Sequence, residues 1–296
     1  MTIHLTRRVF SFAIGAAPAF AAAFFSSRAA AAAVQDDRLA AMLPADLRAR
    51  GSITIATEPL FPPFQYTGSD NRTLVGLDID LGDALGQVLG MKMHFVGAKF
   101  DEIIPGLEAQ RYELSIDAMA DTAARRKKVD FVDYFQSGSA LFVRSSESAG
   151  ITSPGLLCGH KVGVVKGTFQ VEDAEAEAAN CAASGGRKLA VLVFPDQASM
   201  ILAISSGRVD AILMDSAVGN YLARVAHGEF RQVGSLTKAK RKGIVIPKGE
   251  TGLRDAIQGA MQKLIDDGTY AAILKKYNQG SGAIPKATIN DGNAGT

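Results

Sequence analysis

"DIDLGDALGQVLGMKMHFVG", residues 78–97, decides the fold. Its first part spaces Leu81, Ala84, Leu85, Val88 and Leu89 as one face of an α-helix, and Gly90 stands where a C-cap belongs. "KMHFVG" (Lys92–Gly97) then reads as a strand. Upstream, "ITIAT" (Ile53–Thr57) is a strand. Downstream, "DEIIPGLEAQ" (Asp101–Gln110) is a helix and "YELSIDA" (Tyr112–Ala118) another strand. Strands alternating with helices predict an α/β fold with a mainly parallel sheet.

The rhythm restarts after "SGSALFVRSS" (Ser137–Ser146). "HKVGVV" is a strand, a helix begins at Thr168, and "LAVLVF" is a strand. A helix from Asp196 and the strand "VDAILM" (Val209–Met214) follow. After "GIVIPKG" (Gly243–Gly249) come two helices, the first with Leu253, Ile257, Met261 and Leu264 on one stripe. The chain therefore reads as two α/β lobes, each a mainly parallel sheet flanked by helices. Ligands of such sheets sit beyond the carboxyl ends of the strands. That singles out Glu58, Asp117 to Thr122, Lys166 to Phe169, and Asp215. The Gly-, Ala- and Asn-rich stretch 280–296 reads as a tail, flexible or draped over the surface.

The N-terminus points to export. "MTIHLTRRVF" is positively charged, an apolar run from Phe10 to Phe25 follows, and "AAAAA" (Ala29–Ala33) supplies small residues for cleavage. This is the anatomy of a cleaved signal peptide, residues 1–33, and "TRRVFS" resembles a twin-arginine signal. The apolar run falls short of the ~20 residues that span a bilayer. Cleavage removes three arginines and no acid, so the net charge moves from +2 to 2 − 3 = −1. A near-neutral chain lacks the electrostatic footprint of a nucleic-acid binder. The run Arg125–Lys128 is thus no nucleic-acid patch. Cys158 and Cys181, in an exported chain, are expected to form a disulfide. No histidine or cysteine cluster has ligand spacing, so neither metal nor cofactor is expected.

"EPLFPPFQY" (58–66), "LVGLDIDLGDAL" (74–85), "FDEIIPGL" (100–107), "DTAARRKKVDFVDYF" (121–135), "LCGHKVGVVKGT" (157–168), "GRVDAILMDS" (207–216) and "DDGTYAAILKKY" (266–277) follow one another in a fixed order. In that order they resemble the extracytoplasmic solute-binding proteins of polar amino-acid ABC importers. The resemblance implies a periplasmic, monomeric receptor of the two-lobed type II periplasmic-binding-protein fold. It would deliver an amino acid to a membrane permease. Lobe 1 would comprise 51–139 and 247–279 behind a lead-in of 34–50, and lobe 2 would comprise 140–246. The crossovers would lie near Ser139–Val143 and Gly243–Pro247, with the ligand between the lobes.

Physical chemistry assigns roles within the resemblance. A closed cleft must pair both the carboxylate and the ammonium of an amino acid, because unpaired buried charge is costly. The planar fork of arginine suits a carboxylate. The resemblance puts that arginine at Arg125, one turn after the N-cap candidate Thr122, while Arg126, Lys127 and Lys128 read as a solvated face. It puts the ammonium partner at Asp215, which also suits an N-cap for the next helix. Thr168 and the Phe169 N–H would hold the carboxylate from the second lobe. Phe61 and Phe100 would wall the ligand side chain, and Phe64 and Tyr66 read as core. Ala118 and Ala120 would line the site, Ala120 where a hydroxyl residue is common in the family. Glu58 reaches toward the ligand side chain, and Asp117 stands where a small neutral residue is usual. Two acids there favour a ligand with a cationic side chain. Asp117 could instead pair with Lys99 or Arg126. An exported dehydratase on the same scaffold, using Glu58 or Asp117 as its acid or base, is the rival reading. A receptor presenting its ligand to a separate sensor is a third.

Overall fold

The computed structural model describes residues 34–146, 150–233 and 239–292, so the expected signal peptide lies outside the described residues. Two short helices, α1 (Asp37–Met42) and α2 (Ala45–Arg50), lead into β1 (Ser52–Thr57). A small antiparallel sheet of β2 (Leu60–Phe61), β3 (Gln65–Thr67) and β4 (Leu74–Val75) precedes α3 (Leu77–Leu89) and β5 (Lys92–Gly97). Gly90 caps α3 in the left-handed region, φ 64°. Next come α4 (Ile103–Glu108), β6 (Leu114–Ala120), the single turn α5 (Ala123–Arg126) and β7 (Val129–Ser137).

At Gly138 the chain crosses to a second sheet. This is built from β8 (Ser139–Arg144), β9 (Lys161–Val165), α6 (Phe169–Ala183), β10 (Ala190–Phe194), α7 (Gln197–Ser205), β11 (Ala211–Asp215), α8 (Ser216–Val225) and β12 (Phe230–Val233). It returns between Val233 and Lys240 into β13 (Lys240–Pro247), then α9 (Thr251–Asp266) and α10 (Thr269–Lys276). The second crossover therefore does not lie at Gly243–Pro247. Those residues sit inside β13, between β6 and β7 in the first sheet.

The sheet orders are β5-β1-β6-β13-β7 and β10-β9-β11-β8-β12. In the first, β1 runs parallel to β5 and β6, while β13 runs antiparallel to β6 and β7. In the second, β9 is parallel to β10 and β11, and β8 is antiparallel to β11 and β12. Both sheets are mixed, not mainly parallel. The antiparallel pairs all involve the strands beside the crossovers, which enter each sheet from the other lobe. The apolar stripe of α9 (Leu253, Ile257, Met261, Leu264) is buried against the first sheet with Leu81, Leu85 and Val88 of α3.

Residues 280–292 are packed, correcting the flexible-tail expectation for that stretch. Ile284 and Ala287 are buried, and Ile289 bridges to Val132. The Thr288 carbonyl accepts from the Asp133 N–H at 2.8 Å, and its hydroxyl donates to Asp133 Oδ2 at 2.9 Å. Composition alone cannot show such pairing, since the partners lie ~150 residues upstream in β7. Cys158 and Cys181 are bonded, tying the start of β9 to α6. Among the described residues, no helix is long and apolar enough to cross a membrane.

Candidate functional site

The carboxyl ends of β1, β6, β9 and β11 converge on one cavity between the two sheets. The ten residues expected to bind the ligand line it: Glu58, Phe61, Phe100, Asp117, Ala118, Ala120, Arg125, Thr168, Phe169 and Asp215, whereas Met119, Asp121, Thr122, Lys166 and Gly167 of the strand-end stretches do not. The cavity also takes in Gln65, Gln170, Gln197 and Lys242, which the sequence reading did not select.

Arg125 rises from α5, where the Thr122 hydroxyl accepts from the Arg125 N–H at 3.3 Å as the cap should. Its guanidinium stacks over Phe100, 5.3 Å to the ring centroid. It donates to the Ala120 carbonyl at 2.7 Å and to the Gly167 carbonyl of the second lobe at 2.8 Å. Two of the five N–H donors of an arginine are thereby spent, leaving others for a carboxylate. Burial pulls its pKa down to about 10, so it stays cationic at neutral pH. Beside it the first turn of α6 has no side-chain cap, because the Thr168 hydroxyl donates instead to the Val165 carbonyl at 2.7 Å. The free N–H groups of that turn favour an anion. Gly167, at φ 76°, supplies the left-handed turn that brings this helix end to Arg125.

The neighbouring arginine is not a solvated residue. Arg126 donates to Asp121 Oδ1 at 2.9 Å, and that carboxylate is buried. Lys127 and Lys128 are exposed, as their reading requires.

Asp117 faces neither Lys99 nor Arg126. It is 1% exposed, and its Oδ1 accepts from the Thr57 hydroxyl (3.0 Å), the Glu58 N–H (2.7 Å) and Gln65 Nε2 (2.6 Å). Its Oδ2 is buried with no hydrogen-bond partner among the described residues. Desolvation pushes its pKa well above the carboxylate range, with Asp78 and Glu58 adding repulsion. Glu58, on the same wall, is also raised, again chiefly by burial. Behind them the next residue is clamped. The Ala118 N–H donates to Asp78 Oδ2 at 2.9 Å and to the Tyr134 hydroxyl at 3.1 Å, while that hydroxyl donates to Asp78 Oδ1 at 2.7 Å. The clamp holds Ala118 at φ 44°, a conformation that costs a non-glycine residue energy.

Asp215 ends β11 and caps α8, its Oδ1 accepting from the Ala217 N–H at 2.9 Å. Its Oδ2 meets Lys242 Nζ at 2.8 Å and the Ser137 hydroxyl at 2.6 Å. Lys242 comes from β13, whose register sets it opposite Ala120 of β6 and Phe135 of β7. The register of β13 shifts on either side of Gly243, an irregularity of the kind that re-aims a neighbouring side chain. Lys242 and Lys240 both lie over the Phe169 ring, at 5.1 and 4.4 Å. Nothing local in "KAKRKGIV" distinguishes Lys242 from its basic neighbours.

The comparisons with known proteins agree with this geometry. The model of the bacterial extracellular solute-binding proteins, family 3, matches residues 53–280. The chain belongs to that family. The match spans both sheets and the cavity between them. An arginine-binding protein of Corynebacterium glutamicum is 29% identical over 252 residues, 85% of this chain and 82% of its own. A putative ABC transporter arginine-binding protein of Escherichia coli is 30% identical, covering 77% of this chain and 91% of its own. Among solved structures, an ancestral arginine-binding protein bound to arginine superimposes with a TM-score of 0.68 at 34% identity, over 77% of this chain and 98% of that one. An ancestral amino-acid-binding protein, described as a precursor of cyclohexadienyl dehydratase, gives 0.71 at 29% identity, over 78% and 97%. The fold of this solute-binding protein is accordingly two-lobed, with its cavity at the lobe interface.

Proposed function

We propose that this chain is an extracytoplasmic receptor that captures an amino acid with a cationic side chain and delivers it to an ABC importer in the membrane, as a monomer and without cofactor. Asp117 carries the reading: a buried cavity-lining carboxylate with one oxygen unsatisfied, beside Glu58. A buried acceptor without a donor costs about 1–3 kcal/mol, more when charged, and a ligand cation removes that cost. The charge balance points the same way. With all three acids ionised, as a bound cation favours, Glu58, Asp117 and Asp215 stand against Arg125 and Lys242, 2 − 3 = −1, so a ligand of net charge +1 closes the cavity neutral. Arg125 and the open first turn of α6 receive the carboxylate, one from each lobe, so that binding favours closure. The names of the relatives support the same class, several being arginine-binding and one a lysine/arginine/ornithine-binding protein of Escherichia coli. They are named as binding proteins, which supports capture over the dehydratase alternative.

A thermal-shift screen of the exported protein tests the proposal. At a hundred times its dissociation constant, a ligand adds about 2.7 kcal/mol of apparent stability. Arginine, lysine or ornithine should raise the melting temperature, and glutamate should not. Stabilisation by glutamine or glutamate with none by the cationic set would overturn the reading.

A further inference from the structure

Asp117 and Ala118 are consecutive, yet both line the cavity, as does Ala120. Successive side chains of a regular strand point to opposite faces, so Asp117 should not share a face with Ala118 and Ala120. The ladder shows how β6 escapes that rule. Ser115 stands opposite Val245 and Met119 opposite Gly243, which leaves Ile116, Asp117 and Ala118 facing the single residue Ile244 of β13. Such a bulge re-aims side chains and releases backbone groups from the ladder. Ala118 absorbs the distortion at φ 44°, and its freed N–H is caught by Asp78 Oδ2 at 2.9 Å and the Tyr134 hydroxyl at 3.1 Å. The two catching groups are themselves fixed. The Tyr134 hydroxyl donates to Asp78 Oδ1 at 2.7 Å, and the Tyr134 carbonyl accepts from the Tyr270 hydroxyl at 2.6 Å. Asp78 comes from the first turn of α3 and Tyr134 from β7. Both are fully buried and neither lines the cavity. A strained backbone persists only where its surroundings over-determine it, and behind Ala118 those surroundings are this pair.

We propose that Asp78 and Tyr134 are positioning residues for ligand recognition: by holding the bulge in β6 they keep Asp117 turned into the cavity beside Ala118 and Ala120. Affinity for a ligand cation then depends on two side chains behind the cavity wall. The inference rests on the cationic reading above and extends it to residues that meet the ligand only through Asp117.

Titration calorimetry with L-arginine on the exported protein tests this in a double-mutant cycle with Asp117→Asn. Asp78→Ala should weaken arginine at least about tenfold when Asp117 is present, the scale of one charge-assisted hydrogen bond. In the Asp117→Asn background the same substitution should cost less than about threefold, since the contact that the pair aims is already gone. Asp78→Asn keeps an acceptor for the Ala118 N–H and offers a donor to the Tyr134 oxygen, so it should stay within about threefold of the wild type. A purely structural pair would lower the melting temperature and give equal affinity losses in the two backgrounds, or none. Either result in folded variants overturns the inference and leaves the cationic reading intact, as do equal losses in Asp78→Ala and Asp78→Asn. If the wild type binds no cationic amino acid, the cationic reading falls and this inference with it. Should Asp78→Ala not fold, Tyr134→Phe takes its place in the cycle. Its loss should then be at least about fivefold, the scale of one neutral hydrogen bond, and confined to the background that retains Asp117. Equal losses or none again overturn the inference.

Discussion

Asp117→Asn separates the cationic reading from a generic polar pocket. The substitution keeps the shape, and its remaining carbonyl oxygen can still accept from Thr57, the Glu58 N–H and Gln65. What changes is the second position, where an unpartnered acceptor becomes an NH₂ donor. A cationic ligand loses one charge-assisted hydrogen bond there, about 1.5–3 kcal/mol, or about 10- to 150-fold in affinity. A neutral ligand such as glutamine should bind equally well or better. Protons give an independent readout. In the free protein, burial raises the Asp117 pKa above its unfolded value, so the folded state holds a proton that the unfolded state gives up. Its contribution to stability is present below the unfolded carboxylate pKa and fades as pH rises through the higher folded value. Asp78 and Asp133, each raised to about 7 by burial, act in the same direction. An arriving cation favours the ionised form, so binding should release a proton and tighten as pH rises. Calorimetry in buffers of different ionisation enthalpy measures that release, which Asp117→Asn should diminish. An unchanged arginine affinity in Asp117→Asn, with unchanged proton release, would refute the reasoning.

Four further outcomes follow from particular contacts. Arg125→Ala should weaken cationic and neutral amino acids alike by about 2–5 kcal/mol, about 30- to 5,000-fold by calorimetry, because the ligand carboxylate is left buried without its partner. Arg126→Ala should leave affinity within about twofold but lower stability to urea by about 1–3 kcal/mol, since buried Asp121 loses its donor. Replacing Cys158 and Cys181 by serine opens a loop of sequence separation 23, which should cost about 3 kcal/mol in chain entropy, read as a drop in urea midpoint that reductant reproduces in the wild type. Ending the chain at Gln279 should lower the melting temperature, because buried Ile284 alone contributes about 1.5–3 kcal/mol and Asp133 loses its Thr288 partner.

The alternation of strands and helices was legible in the sequence because period and capping are local. The α3 face, its Gly90 cap, the α9 stripe and the Asp196 cap of α7 each depend on residues within a few positions of one another. The lining of the cavity was legible for a related reason. In an α/β lobe the strand ends present their next residues to one edge, so Glu58, Asp117, Thr168 and Asp215 could be placed before any contact was known. Tertiary structure alone decided what those side chains touch. Lys242 reaches Asp215 only because β13 returns from the second lobe and inserts antiparallel between β6 and β7. Asp117 finds Thr57 because β6 lies beside β1, and Gln65 because the small β2-β3-β4 sheet brings β3 to it, with sequence separations of 60 and 52. Residues 280–292 read as loose by composition, yet their backbone pairs with β7 and Ile284 enters the core. Hydrophobic periodicity specifies which face of an element is buried. It carries no information on the register between strands a hundred residues apart, and that register sets which charges meet in the cavity.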